Sequence, residues 1–436
     1  MRRAIEKFFS LKEFNTNIST EILAGITTFM TMSYIIIVNP AILEYAGIPK
    51  GPSMVATILV SFFSTFLMGI YANRPFALAP YMGENAFVAF TLVGLLGYTF
   101  KDALAIVFLG GVLFVFLTIF RIRGWLVKSI PINLKYSFAV GIGLFLTFIG
   151  LNEAGIITLG SKSAPVKVGN LGELQVILAI VGFILMGFLI IKKIKGALFL
   201  GIILTTIFSF LLGINKFPEK IIGLPPSISP IFLKMDFSKI FSFSFWGIVL
   251  TVFILDFVDT LATVIGISAR AGLLDKEGNL PQIERPLLVD ALATVLASIL
   301  GTTTAGTFIE SASGIEEGGR TGLTAVVCSL LFLLALFFSP FLTAIPKCAY
   351  APALIIVGLF MLEPITKINF KDYTELIPSF SVIVLVCFTY NIAIGICAGF
   401  IIYIFFKLVS LRINEIPLGL WFLGILSLLF FIFYPY

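Results

Sequence analysis

Histidine does not occur anywhere in the 436-residue chain. Its absence removes the HExxH metalloprotease pattern, any Ser-His-Asp hydrolase and any histidine-ligated haem or zinc site. Proton chemistry, if the chain performs any, falls to carboxylates. Charge is scarce as well: Lys, Arg, Asp and Glu make up 12% of the residues against 59% hydrophobic, and mean hydropathy is +1.10. No soluble domain tolerates that much apolar surface on its exterior. Cysteine is limited to Cys328, Cys348, Cys387 and Cys397, each in or beside an apolar stretch of the second half. Such cysteines are small packing residues, and no disulfide framework is expected. The net charge of +6 is spread over short loops. That pattern reads as membrane orientation and argues against nucleic acid as a partner.

What is present is one apolar block after another. Residues 174–191, 198–212, 324–342 and 421–433 each approach the roughly 20 residues that cross a bilayer as a helix, and about fourteen such segments can be counted. The blocks are continuously apolar and do not alternate, so they read as helices and not as barrel strands. The chain is therefore expected to be an all-α polytopic membrane protein. Its beginning, MRRAIEKFFSLKEFNTNIS, has no short apolar core with a small-residue cleavage site, so no removable leader is expected. Arg2, Arg3, Lys7 and Lys12 precede the first span, Arg121, Arg123 and Lys128 follow the fourth, and Lys192, Lys193 and Lys195 join the sixth to the seventh. The positive-inside rule places that side, and with it the N-terminus, in the cytoplasm of a multi-pass cell-membrane protein. The tail leaves two readings, one long tilted helix over residues 376–406 or two short ones broken near Tyr390 and Asn391, and the choice flips the sidedness of Lys407, Arg412 and the C-terminus; fourteen spans are expected.

Two segments break the apolar pattern. In APYMGENAF, residues 79–87, Pro80 and Gly83 interrupt the run just before Asn85; in residues 301–314, Thr302, Thr303, Thr304, Gly306 and Thr307 precede Glu310. Irregular backbone at membrane depth is tolerated only where protein or a water-filled cavity surrounds it. Broken segments at corresponding places in two halves point to an inverted-repeat transporter with its site at the midplane. A weak internal match agrees: Ile130-Pro131 is followed by Gly143-Leu144-Phe145, and Ile345-Pro346 by Gly358-Leu359-Phe360. An extended stretch leading into a half-helix turns N–H donors toward the cavity. Asn85 and Glu310 are then expected to face each other, offering donors and acceptors that suit the edge of a heterocycle.

Glu310 lies among Phe308, Ile309 and Ala312, where an unpartnered ionisable group costs on the order of 2.5–3.5 kcal/mol. It reads as functional, whereas Glu316, Glu317 and Arg320 beside Gly318 and Gly319 read as a loop. A third constellation is LDFVDTLATVIG, residues 255–266, which sets Asp256 and Asp259 three apart, with Thr260 and Thr263 four beyond each. A helix puts most of these groups on one broad face. Two carboxylates that close resist joint ionisation, so one tends to hold a proton. Asp256 fits a polar stitch between helices equally well; Asp259 reads as functional.

These residues carry a resemblance. GITTFMTMSYIIIVNP (25–40), PYMGENAF (80–87), FVDTLATVIG (257–266), the long block 272–326 and APALIIVG (351–358) resemble the AzgA-type adenine/guanine/hypoxanthine permeases, a branch of the nucleobase:cation symporter family. The resemblance runs over nearly the whole chain. It implies about 14 transmembrane segments as 7+7 inverted repeats, with short extended stretches in segments 3 and 10. It also implies a cytoplasmic N-terminus at 1–19, a core domain of residues 20–122 and 244–344, and a gate domain of residues 123–215 and 345–436. The implied activity is import of purine nucleobases by cation symport, H+ ahead of Na+, through an elevator-like or rocking core movement. No catalysis, cofactor or metal is implied. The partners are the base, the coupling cation and membrane lipid, with a homodimer left open.

Carried onto this chain, the family's substrate residues fall on Asn85, Asp259 and Glu310, with Phe308 at the place of an aromatic that stacks on the base. Ion coupling is assigned to Asp259, Asp256 and Glu310. Two positions depart from the pattern: Glu84 stands where many members carry an apolar residue and joins the substrate set as an added carboxylate, and Ala262 stands where glycine is usual. The competing reading is an inorganic anion (sulfate-type) carrier of the same architecture, against which Glu310 and Asp259 argue by repulsion. An intramembrane aspartyl protease using Asp256, Asp259 or Asp290 is the other rival. It needs opposed carboxyls, and the two close Asp share one helix.

Overall fold

The computed structural model describes residues 2–120, 129–161, 164–271, 273, 280–389 and 391–433. The expected division at 122/123, Arg121, Arg123, Lys128, Tyr390 and the side chain of Ala262 lie outside the described residues.

Continuous apolar runs fold as helices because in lipid only a helix satisfies every backbone group within its own segment. Along the first half these are α1 (Arg2–Phe8), α2 (Ile18–Met32), α3 (Ile35–Leu43), α4 (Lys50–Leu67), α5 (Met82–Ala86), α6 (Phe100–Ile119), α7 (Ile132–Glu153), α8 (Leu174–Ile191) and α9 (Ala197–Leu211). The second half holds α10 (Phe243–Arg270), α11 (Glu284–Leu300), α12 (Ser311–Glu316), α13 (Gly322–Ala335), α14 (Ser339–Thr343), α15 (Lys347–Phe360), α16 (Tyr373–Phe388), α17 (Ile392–Val409) and α18 (Leu418–Phe433). Among the described residues, seven helical segments are long and apolar enough to cross a membrane, and six shorter apolar helices accompany them. The architecture is that of a multi-pass membrane protein.

The helices sort into two packed groups. In one, α2, α4, α6, α10, α11 and α13 pack on one another; in the other, α7 packs on α15 and α16, α8 on α9 and α15, and α16 on α17. Apolar lipid provides no hydrophobic drive between helices, so close approach through small residues decides where they cross. The two glycines of the internal sequence match show this directly. A Cβ on Gly143 would lie 2.8 Å from the Gly358 carbonyl oxygen, and one on Gly358 would meet the Gly143 carbonyl oxygen in return.

At the centre of the first group, both expected extended stretches are present. β1 (Leu78–Pro80) pairs antiparallel with β4 (Ala305–Thr307), with Leu78 opposite Thr307, Ala79 opposite Gly306 and Pro80 opposite Ala305. The pairing continues at both ends, where Tyr81 N donates to Thr304 O at 3.0 Å and Phe308 N to Ala77 O at 2.9 Å. Each stretch thus satisfies backbone groups of the other within the protein. α5 follows β1 and runs on into a π-helical stretch, Phe87–Leu95, while α12 follows β4. A second, peripheral pair of strands, β2 (Ile157–Ser161) and β3 (Ala164–Val168), links α7 to α8.

In the tail, residues 376–406 are two helices and not one. Asn391 ends the run by accepting the Ile394 N–H on its side-chain oxygen at 3.2 Å, the N-cap arrangement that lets a new helix start. α16 and α17 then fold against each other, and α18 follows as a further apolar helix.

Candidate functional site

The β1–β4 crossing is held from α11. Asp290 accepts the Thr307 hydroxyl at 2.7 Å and the Thr307 N–H at 3.3 Å, and the Thr294 hydroxyl oxygen accepts the Ala305 N–H at 3.3 Å. From the other side Asn39 of α3 donates its amide to the hydroxyls of Thr57, at 2.7 Å, and Thr302, at 3.0 Å. Both anchors fix the backbone on which the expected site residues stand.

Asn85, on α5, is fully buried; its amide oxygen accepts the Thr303 hydroxyl, and its Nδ2 has no hydrogen-bond partner. Glu310 ends the link from β4 to α12, and its Oε1 accepts the Tyr34 hydroxyl at 2.5 Å. Asn85 and Glu310 thus each face a hydroxyl partner. Phe308, 5% exposed, stacks on Tyr81 with ring planes 5° apart and centroids 6.0 Å apart. The Tyr81 hydroxyl shares a hydrogen bond with Thr260 of α10 at 3.3 Å. On the same helix Asp256 accepts the Thr294 hydroxyl at 2.7 Å, the inter-helix stitch that its spacing allowed, while Asp259 is only partly buried. Glu84, beside Asn85, is 1% exposed.

Tyr34, Tyr81, Thr303 and Thr294 were not legible as site residues. A phenol inside an apolar run reads as packing, and its need for a polar partner when buried is the signal that could have marked Tyr34 and Tyr81. Of the residues read as a loop, Glu316 instead closes α12, while Glu317 and Arg320 lie in the turn beyond it. Glu317 pairs with Lys195, and Arg320 donates from Nη1 to Ile315 O at 2.5 Å and Gly319 O at 2.8 Å.

Gly306 lets the Tyr81 ring lie against β4, since a Cβ there would come within 2.6 Å of the ring carbon Cζ. Gly306→Ala is therefore expected to lower stability by about 1–3 kcal/mol, the usual effect of overpacking. The measurement is the thermal unfolding midpoint of the purified protein in detergent; an unchanged midpoint contradicts the packing argument.

Chemically, the crossing gathers an aromatic pair, a carboxylate held by a phenol, a free amide donor and further carboxylates. Such a set can offer an aromatic face to a flat ring and accept from its N–H edge. Comparisons with known proteins place the chain in a family. The family model Xan_ur_permease, described as a permease family, matches residues 19–393. The putative permease MJ0326 of Methanocaldococcus jannaschii is 46% identical over 426 residues, covering 98% of this chain and 97% of its own. Adenine permease AdeP of Escherichia coli K12 is 38% identical over 412 residues (94% and 92%), and guanine/hypoxanthine permease PbuO of Bacillus subtilis is 39% identical over 432 residues (97% and 99%). Among solved structures, the transmembrane domain of the cyanobacterial bicarbonate transporter BicA aligns with a TM-score of 0.65 over 87% of this chain and 97% of that one, at 16% identity. That likeness speaks for the fold alone. With the family match spanning most of the chain and relatives aligned nearly end to end, the protein belongs to this permease family.

Proposed function

We propose that the protein imports purine nucleobases across the cell membrane by proton symport. The observation that carries this reading is the buried set at the β1–β4 crossing: Glu310 held by Tyr34, the free Nδ2 of Asn85, and the Phe308–Tyr81 ring pair. Relatives named as adenine and guanine/hypoxanthine permeases support the substrate class. In this reading the base stacks on Phe308, a ring N–H donates to Glu310, protonated Asp259 donates to a ring acceptor, and Asn85 donates to a further acceptor on the base. Glu84 adds a further carboxylate beside Asn85. Asp259, modulated by Asp256, takes part in ion coupling together with Glu310.

The first helix group serves as core, residues 20–122 and 244–344, and the second as gate, residues 123–215 and 345–436. The mutual contact of Gly143 and Gly358, matched positions of the two halves, supports an inverted-repeat arrangement. The core carries the site, and its sliding or rocking against the gate alternates access, with the N-terminus cytoplasmic. An anion carrier of the same architecture is the weaker reading, because Glu84, Asp256, Asp259 and Glu310 on the segments around the crossing repel an anion.

Uptake into proteoliposomes, with adenine, guanine, hypoxanthine, uracil and sulfate as competitors, tests the substrate class. Purines are expected to compete and sulfate not. Competition by sulfate alone reverses the assignment.

A further inference from the structure

We propose that Glu84 is a proton-binding group of the transporter, sharing one proton with Asp259 across the contact between α5 and α10. Its coupling role rests on the proton-symport reading above; its existence as a proton site does not.

Glu84 stands apart from the other buried carboxylates. Glu21 accepts the N–H groups of Arg320, Thr321 and Thr324 at 2.9, 3.3 and 3.1 Å and the Thr324 hydroxyl at 2.6 Å, capping α13. Asp290 holds Thr307, and Asp256 holds the Thr294 hydroxyl. Glu84 is as deeply buried, yet neither of its oxygens has a hydrogen-bond partner. A bare carboxylate in a low-dielectric interior is strongly disfavoured unless a hydrogen bond or a positive charge compensates it.

Among the described residues, no hydrogen bond from a cationic side chain reaches Glu84. α5 packs against α3, α7 and α10 and the π-helical stretch that continues it. α3, with sequence IIIVNPAIL, carries no titratable side chain, and neither does the π-helical stretch. α7 meets α5 where Ile142 faces Gly83, and its titratable residues Lys135, Tyr136 and Glu153 lie roughly two to three turns away along the helix. Tyr81, just before α5, directs its hydroxyl to Thr260. α10, which packs on α5, brings two acids, Asp256 and Asp259. The compensating charge therefore comes from outside as an ion.

Two acids within electrostatic reach take up one proton jointly before either can ionise freely. The step is a reversible transfer: an O–H bond forms on the pair when the proton arrives from one side and breaks when it leaves to the other. With Asp256 committed to Thr294, Asp259 is the natural partner, since it is the less buried of the two.

Infrared pH titration of proteoliposomes, reading the carbonyl band of a protonated buried carboxylic acid, tests this in wild type, Glu84→Gln and Asp259→Asn, with Glu84→Leu as a second replacement in case glutamine disturbs the fold. The band is expected to titrate in the wild type, to fall at least about twofold in Glu84→Gln and to lose its wild-type midpoint in Asp259→Asn. The pH midpoint of adenine uptake is expected to move to lower pH by about one unit or more in Glu84→Gln, because Asp259 no longer shares its proton with a second anion. A wild-type band and a wild-type midpoint in both Glu84 variants overturn the proposal. If the band depends on Glu84 while wild-type uptake ignores the proton gradient, the symport reading fails and the proton site stands.

Discussion

Glu310→Gln is expected to weaken adenine binding by about tenfold to more than a hundredfold without preventing membrane insertion. Glutamine fills nearly the same volume, and Tyr34, which donates to Glu310 Oε1 at 2.5 Å, can still donate to an amide oxygen. The second position changes character. A carboxylate accepts on both oxygens, whereas an amide presents one acceptor and one donor, so the NH2 group opposes a ring N–H of the base. Loss of a hydrogen bond to a charged group is worth about 1.5–3 kcal/mol, which corresponds to roughly the stated factor in affinity. Equilibrium binding of labelled adenine in detergent measures it directly. Wild-type affinity in Glu310→Gln would remove Glu310 from the substrate site.

Much of the scaffold could be read from the chain because its breaks are local. Pro80 and Gly83 in one apolar run, and the threonine-rich stretch before Glu310 in another, marked the two places where β1 and β4 form. Asn85, Glu310 and Asp259 stood out because polar groups are costly in such runs. Their partners were hidden for a different reason. Tyr34 reaches Glu310 and Thr303 reaches Asn85 over separations of 276 and 218 residues, which no local pattern records. Asp290 sits one turn before Thr294 on α11, but its part in holding Thr307 depends on the β1–β4 pairing that brings the strand to it. The spacing of Asp256 suits a stitch between helices as well as a functional role, and the Thr294 hydroxyl bond shows the stitch to be present. The tail was ambiguous because residues 376–406 are apolar on both sides of the break. The cap supplied by Asn391 is a single side chain, too weak a signal to decide the matter from composition alone.

Asp259→Asn is expected to abolish purine accumulation while leaving purine exchange across the membrane. Concentrating uptake requires a group whose protonation and whose substrate occupancy favour each other, and the coupling is reciprocal by linkage. Asp259 is suited to that part: it lies on α10 one turn beyond Asp256, whose Oδ2 is occupied by Thr294, and beside Thr260, which ties the helix to Tyr81 of the stacked ring pair. Asparagine resembles the protonated acid in shape but cannot release a proton, so the base can still enter and leave while the gradient no longer pulls it inward. For one proton per base, each pH unit of gradient sustains about tenfold accumulation in the wild type, against a ratio of about one in the variant. Accumulation in wild-type proteoliposomes should collapse with a protonophore and be indifferent to sodium removal; the absence of histidine leaves few other groups suited to this titration. If uptake follows the sodium gradient and survives the protonophore, Asp259 and its neighbours act as cation ligands, and the proton mechanism has to be abandoned.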